Sequence, residues 1–284
     1  MYKLESINNS NLNKISQFDL NEEYLNELMD ICSNKNAIKK ILLSKNIKYI
    51  KDNDSYIGFV WYNRIRYRTY KIYCIKISEE YHDINYYKDL FLFFNNSSSI
   101  FINDNNNLSK EIMLNLNFHI EKSIEEMKIN IKETRYYEPK DNVKFRVFID
   151  GRDEANRCRI QNEVFHSVTR QAIEEEDVIY EKIQSYYIPE GCIFISLDDE
   201  DIGYGQLVMK EKKMYLVNFG IIPKYRGKGY GKMLIRKILS VGVSMGYEEI
   251  YLRCDADNYQ AINLYEKEGF RSLTMHYRYK KEAL

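Results

Sequence analysis

The segment Ile222-Pro-Lys-Tyr-Arg-Gly-Lys-Gly-Tyr-Gly-Lys232 sets Gly227, Gly229 and Gly231 among Arg226, Lys228 and Lys232, just ahead of a stretch with helical periodicity. Glycines permit backbone angles and close approaches that side chains forbid. A helix N-terminus offers an anion free amides and roughly half a positive charge. A phosphate or pyrophosphate would bind here through amides first and cations second. On its own the pattern is equally a flexible turn between a strand and a helix. It lacks the Gly-x-x-x-x-Gly-Lys-Ser/Thr of a nucleoside triphosphate loop, and it comes too late in the chain for the first turn of a dinucleotide fold. Downstream, Asp257-Asn258-Tyr-Gln-Ala261-Ile-Asn-Leu264-Tyr265-Glu-Lys-Glu-Gly269-Phe270 places Asn258, Ala261 and Tyr265 three and four apart. On a helix they share one face, and that face can meet one ligand.

Arg226-x-x-Gly229-x-Gly231 after Ile221-Ile222-Pro223, followed at this separation by the Asn258 to Phe270 segment, resembles the paired motifs of the GNAT superfamily, the Gcn5-related N-acetyltransferases. The resemblance implies acetyl-coenzyme A as cofactor. Its pyrophosphate would lie on Arg226, Gly227, Lys228, Gly229, Tyr230, Gly231 and Lys232, and its pantetheine arm along Gly220, Ile221 and Ile222. Asn258 would bond the pantetheine or phosphate end, Ala261 would leave room for the cofactor, and Tyr265 would point its hydroxyl at the thioester sulfur. Attack of a neutral amine on a thioester expels a thiolate. A phenol of pKa about 10 can protonate that leaving group, whose own pKa is near 8.5. Tyr265 is also one of 26 tyrosines, any of which can pack a helix on a sheet.

The acceptor implied is a primary amine of a small molecule or peptide. Relatives often carry a glutamate base on the strand before the glycine loop. Met214 to Ile222 has no carboxylate and offers Asn218 and Tyr215. The base is a water relay, a residue elsewhere such as His166, or absent if the amine arrives deprotonated. His166, Glu174, Glu175 and Asn218 are the acceptor-side candidates. Glu174 to Asp177 equally suit a solvated helix start. Two other readings stay open: a non-catalytic acyl-coenzyme A-binding or sensory module, and transfer of a different acyl group.

These residues need a scaffold. Val143 to Asp150 alternates like a strand; Glu154 to Phe165 and Glu174 to Tyr186 have helical patterns; Cys192 to Leu197, Ile202 to Met209 and Met214 to Ile222 read as strands. After the glycine loop, Leu234, Ile238, Val241 and Met245 form one apolar stripe, then Glu249 to Cys254 is a strand, Asn258 to Lys267 a helix and Phe270 to Tyr279 a strand. The first half repeats the order: Ile57-Gly58 falls on Ile202-Gly203, Ile77, Tyr81, Tyr86, Lys88 and Leu90 fall on Ile221, Tyr225, Tyr230, Lys232 and Leu234, and Asn106 and Phe118 fall on Asn258 and Phe270. The chemistry does not repeat, because His82, Asp83, Asn85 and Tyr87 replace Arg226, Gly227, Gly229 and Gly231, and Met113 replaces Tyr265. The expected fold is α/β, an α+β mixed sheet: two GNAT-like domains in tandem, each a mostly antiparallel sheet flanked by helices. Residues 1–138 form a degenerate copy that does not bind the cofactor, and residues 139–284 the catalytic domain, joined through a polar linker at Lys132 to Asn142.

The 284 residues suit two domains, and 44% hydrophobic against 30% charged residues supports packed cores. Lys plus Arg and Asp plus Glu both total 42, so no net field favours nucleic acid or a lipid surface. The five scattered cysteines include no Cys-x-x-Cys pair, and no metal site is expected. No stretch resembles a signal peptide or a membrane span. The protein is therefore expected to be cytoplasmic, a monomer or homodimer.

Overall fold

The computed structural model describes residues 2–8, 10–18, 46–81, 83–94, 99–103, 110–131, 142–166, 171–210 and 212–282. His82, Asn106 and residues 132–141 of the expected linker lie outside them. Two compact units emerge, one of Met1–Ser123 with His276–Leu284 and one of Ile124–Met275. Among the described residues no helix is long and apolar enough to cross a membrane.

In the first unit β1 (Tyr2–Ser6), β2 (Ile47–Asp52), β3 (Ser55–Arg66) and β4 (Thr69–Ile77) form an antiparallel run. Helix α1 (Ile84–Leu92) leads to β5 (Ser99–Asn103), which lies parallel to β4, and α2 (Lys110–Asn115) follows. β6 (His119–Asn130) begins in this unit, but the residues that close its sheet come from the far end of the chain. In β12 (Arg271–Glu282), Arg278 to Glu282 pair antiparallel with β5, Tyr279 opposite Ile102.

In the second unit β7 (Val143–Val147), α3 (Glu154–Val164) and α4 (Glu175–Lys182) precede the antiparallel β8 (Tyr187–Leu197), β9 (Glu200–Lys210) and β10 (Lys213–Ile221). Helix α5 (Tyr230–Ser244), β11 (Glu249–Asp255) and α6 (Tyr259–Lys267) complete it, with β11 parallel to β10. From β8 onward the second unit has the same order as the first has from β2. Here the closing strand is the second half of β6, from Asp255 opposite Ile124 to Glu249 opposite Asn130. The division therefore differs from a cut at 138/139. Residues 124–130 extend the second sheet and residues 278–282 the first, because each ladder is completed by the strand that hydrogen-bonds it. The matched glycines stand at equivalent register positions, Gly58 opposite Ile77 and Gly203 opposite Ile221.

Alternation along β8 separates two cores in the second unit. Ile193 and Ile195 join Leu234, Ile235, Ile238 and Leu239 of α5, whose buried stripe is wider than the expected one. Cys192 and Phe194 join Ile160 of α3 and Val178 of α4. β8 starts five residues before the expected Cys192, at Tyr187. The register jumps from Tyr187–Val208 to Cys192–Gln206, which takes Pro189, with no N–H to give, out of the ladder.

Candidate functional site

The parallel strands β10 and β11 are laddered only at Tyr215–Tyr251 and Leu216–Leu252. Beyond that, β10 stays with β9 as far as Ile221–Gly203, and β11 stays with β6 as far as Asp255–Ile124. The two strands therefore part at their carboxyl ends, the place where open α/β sheets bind ligands. β10 also bulges there. Its register steps from Val217–Gln206 to Gly220–Tyr204, and Asn218 takes a left-handed φ of 52°. The Asn218 amide nitrogen donates to Gln206 Oε1 at 3.2 Å, so this acceptor-side candidate turns toward β9. Gly220 fits because it has no side chain: a Cβ there would lie 2.2 Å from Val164 Cγ1 at the end of α3. Ile221 and Ile222 are buried in the two cores, which leaves their backbone as the part a ligand could meet.

After β10 a tight turn at Pro223–Tyr225 leads into the glycine loop. Gly227 and Gly229 have φ of 75° and 90°, and Gly229 is the N-cap of α5. Space does not demand glycine at either position, since a Cβ would meet nothing within 4 Å. The left-handed backbone does. Tyr230, Gly231 and Lys232 form the first turn of α5, whose leading amides have no intrahelical acceptor.

The three cations, all expected to serve the pyrophosphate, divide their work. Arg226 donates from Nε to the Ile221 carbonyl and from Nη2 to the Val164 carbonyl, each at 2.8 Å, and so brackets the loop to β10 and α3. Lys232 lies 3.4 Å from Glu268 Oε1, and the other carboxylate oxygen of Glu268 accepts from Arg236 Nε at 2.6 Å. Lys228 is exposed. Left-handed glycines, unpaired helix amides and an exposed lysine make a donor set that suits a diphosphate.

On α6, Asn258 is the N-cap: its side-chain oxygen accepts the Ala261 amide at 3.2 Å, which leaves the side-chain NH2 for another partner. Ala261 is half-buried. Tyr265 is 7% exposed, with its ring 5.9 Å from Phe219 and 5.8 Å from Phe270. Burial, and then the Cys254 thiol, push its phenol well above the ordinary 10.0. The hydroxyl has no hydrogen-bond partner among the described residues. It is also not among the buried side-chain atoms without a hydrogen bond, which among the described residues are Arg157 Nη1 and Glu268 Oε1.

On the acceptor side His166 is exposed just past α3. Asp177 accepts the Glu174 amide at 2.9 Å, so this acidic run starts α4 in the way a capping pair does, with Glu175 exposed beside it. Two groups were not singled out from the sequence. Glu126 of β6, 3% exposed, accepts from Tyr215 Oη at 3.0 Å and from Arg253 Nε at 2.9 Å, and so brings a carboxylate to β10 from a segment assigned to the other half. Helix α3 buries a polar stripe, Glu154, Arg157, Cys158 and Gln161, spaced three, one and three apart. That helical spacing of polar types was the available signal.

The profile of the acetyltransferase (GNAT) family matches residues 159–270. Among curated proteins, a mycothiol acetyltransferase of Streptomyces griseus subsp. griseus is 25% identical over 146 residues, 50% of this chain and 48% of that protein. The thialysine N-epsilon-acetyltransferase of Mus musculus is 31% identical over 78 residues, 26% of this chain and 46% of that protein. The chain thus spans about half the length of the curated relatives it matches. Among solved structures, a GCN5-related N-acetyltransferase from Sphaerobacter thermophilus superposes with a TM-score of 0.70 at 14% identity, covering 99% of this chain and 95% of that one. A tandem GNAT protein from the clavulanic acid biosynthesis pathway gives 0.60 at 8% identity, covering 84% and 82%. At these identities the structural likeness speaks to the fold alone.

Proposed function

We propose that this chain, whose residues 159–270 match the acetyltransferase (GNAT) family model, is a member of that family whose second unit transfers an acetyl group from acetyl-coenzyme A to a primary amine of a small molecule or peptide. The observation that carries this reading is the parting of β10 and β11 directly beside the left-handed glycine loop. Acetyl-coenzyme A, when bound, supplies an activated acyl carbonyl with a thiol leaving group. The first-turn amides of α5, with the backbone of Gly227 and Gly229 and the Lys228 charge, hold the diphosphate. Backbone groups of Val217 to Gly220, which face no ladder partner on the β11 side among the described residues, pair with the pantetheine arm. Asn258 offers its remaining NH2 to that arm, and Ala261 keeps the helix face low. Tyr265, kept protonated because burial disfavours the phenolate, would give its proton to sulfur as the amine–carbonyl bond forms and the carbon–sulfur bond breaks, and the proton that the attacking amine gives up would restore the phenol.

The first unit, in this reading, is a degenerate copy that does not take the cofactor. The Asp83 carboxylate accepts the Asn85 amide at 2.8 Å, so the start of α1 already carries its own anion where a phosphate would sit. Met113, at Tyr265's place, is buried.

Calorimetric titration with acetyl-coenzyme A tests the reading directly, and the absence of binding at about millimolar ligand, a Kd equivalent of roughly −4 kcal/mol, ends it. A non-catalytic acyl-coenzyme A-binding module is the second reading, favoured by the core position of Tyr265 and the lack of a carboxylate on β10. Thiol release above background with a panel of polyamines, aminoglycosides, amino acids and peptides rules it out.

A further inference from the structure

Gln206 is completely buried on β9, and its single amide oxygen is the meeting point of three donors: Arg157 Nη2 at 3.1 Å, Asn218 Nδ2 at 3.2 Å and Tyr204 Oη at 3.4 Å. Its amide nitrogen donates to Glu181 Oε1 at 3.2 Å. Arg157, 1% exposed, pairs with Glu181 Oε2 and donates from Nε to Gln161 Oε1 at 3.1 Å, with its guanidinium over the Tyr204 ring. Residues of α3, α4, β9 and β10 thus converge on one amide. As core filling this is a poor solution. It buries a cation and leaves Arg157 Nη1 sealed with no partner, where apolar side chains of similar volume would carry no such penalty.

What the network reaches is the bulge. Asn218 is the left-handed residue of β10 and the only member on the strand that parts from β11. The first unit provides an internal comparison. At offsets of 145 (206 − 61) and 144 (218 − 74) stand Trp61 and Cys74, directly paired in register. There β4 slips register one residue earlier, at Tyr73, with no left-handed residue along it. The unit without the glycine loop thus carries tryptophan and cysteine where the second unit carries Gln206 and Asn218.

We infer that Gln206 and Arg157 are positioning residues that, through Asn218, fix the β10 bulge in the geometry that presents backbone groups of residues 217–220 to the acyl end of the cofactor. This rests on the acetyltransferase reading above. The pyrophosphate loop does not depend on the network, since Arg226 brackets it separately to Ile221 and Val164. Cutting the tether therefore affects acyl placement and leaves most of the binding intact.

The test compares wild type with Gln206→Leu, Asn218→Gly and the double variant. Asn218→Gly keeps a left-handed backbone accessible and removes only the tether, so it stays folded even where Gln206→Leu does not. In hydrogen exchange followed by mass spectrometry, acetyl-coenzyme A protects both the 214–222 and the 226–234 segments of wild type. In each variant it protects the second segment and not the first. With the best amine of the panel, kcat falls about 10- to 100-fold, as small misplacements of a reacting group do. KM for acetyl-coenzyme A moves less than about threefold, and the double variant is no worse than the worse single one. Protection of both segments in the variants, an unchanged kcat, or fully additive losses overturns the inference while leaving the acetyltransferase reading in place. Absence of protection at both segments in wild type removes the reading itself, and the inference with it.

Discussion

Replacing Tyr265 by phenylalanine separates two jobs that one side chain can do. The ring packs between Phe219 and Phe270 at 5.9 and 5.8 Å, and phenylalanine keeps those contacts. The hydroxyl lies on a residue 7% exposed and has no hydrogen-bond partner among the described residues. Removing the hydroxyl breaks no hydrogen bond among the described residues, so the variant should be about as stable as wild type. The comparison also has a pH signature. Burial raises the folded phenol above the ordinary 10.0, so the folded state holds its proton more tightly than the unfolded chain. That contribution is fully present below pH 10.0 and is lost as pH climbs from there toward the folded value. Wild type should therefore lose stability above pH 10.0 and the variant should lose less. The effect on rate is opposite in kind. A positioned general acid contributes about 10²- to 10⁴-fold, roughly 3 to 5 kcal/mol of barrier, so kcat should fall by at least about a hundredfold with acetyl-coenzyme A affinity within about threefold. Denaturant melts across pH, calorimetry and steady-state thiol release measure the three quantities. A variant with unchanged kcat would make Tyr265 a packing residue and refute the assignment of the proton to it.

Three further outcomes follow from local geometry. Gly220→Ala drives a methyl to within 2.2 Å of Val164 Cγ1, an overpacking cost of about 1–3 kcal/mol read as a lower denaturation midpoint, and Val164→Ala in the same chain should restore most of it. Lys182 Nζ, 2.5 Å from Glu154, and the Gly151 amide overcome the burial that opposes ionisation and hold the Glu154 carboxyl at about 2 against an ordinary 4.5. The stability this pair gives the second unit is present above pH 4.5 and lost as pH falls toward 2, and Glu154→Gln should flatten that limb in acid melts. Arg226→Lys can reach only one of the Ile221 and Val164 carbonyls, so the loop loses its bracket and acetyl-coenzyme A affinity should drop about tenfold, whereas Lys228→Ala should cost less and chiefly flatten the salt dependence.

Much of the second unit was legible in order and type. Apolar alternation gave its strands, the Leu234–Ile238 stripe gave α5, and glycines at 227 and 229 marked the left-handed turn before that helix. These are local signals: period, turn chemistry and capping act within a few residues of where they are written. The Asn258, Ala261 and Tyr265 spacing was equally readable, but its content was only partly so. Spacing fixes a shared face and does not say that Asn258 caps its own helix or that Tyr265 lies against two phenylalanines.

What the tertiary structure decided is long-range. Arg226 reads as a phosphate ligand in sequence, yet it serves two carbonyls, one of them 62 residues away, because a guanidinium goes where unpaired acceptors are brought to it. Glu126 reaches β10 only because the second half of β6 ladders with β11, a pairing that no local pattern encodes. The parting of β10 from β11, the bulge at Asn218 and the meeting of Arg157, Glu181 and Gln206 beneath it depend on four separate elements arriving together. The sequence alone determined the glycine loop and the shared face of Asn258, Ala261 and Tyr265. Only the packed sheet, through hydrogen bonds between segments far apart in the chain, decided that β10 and β11 part beside them.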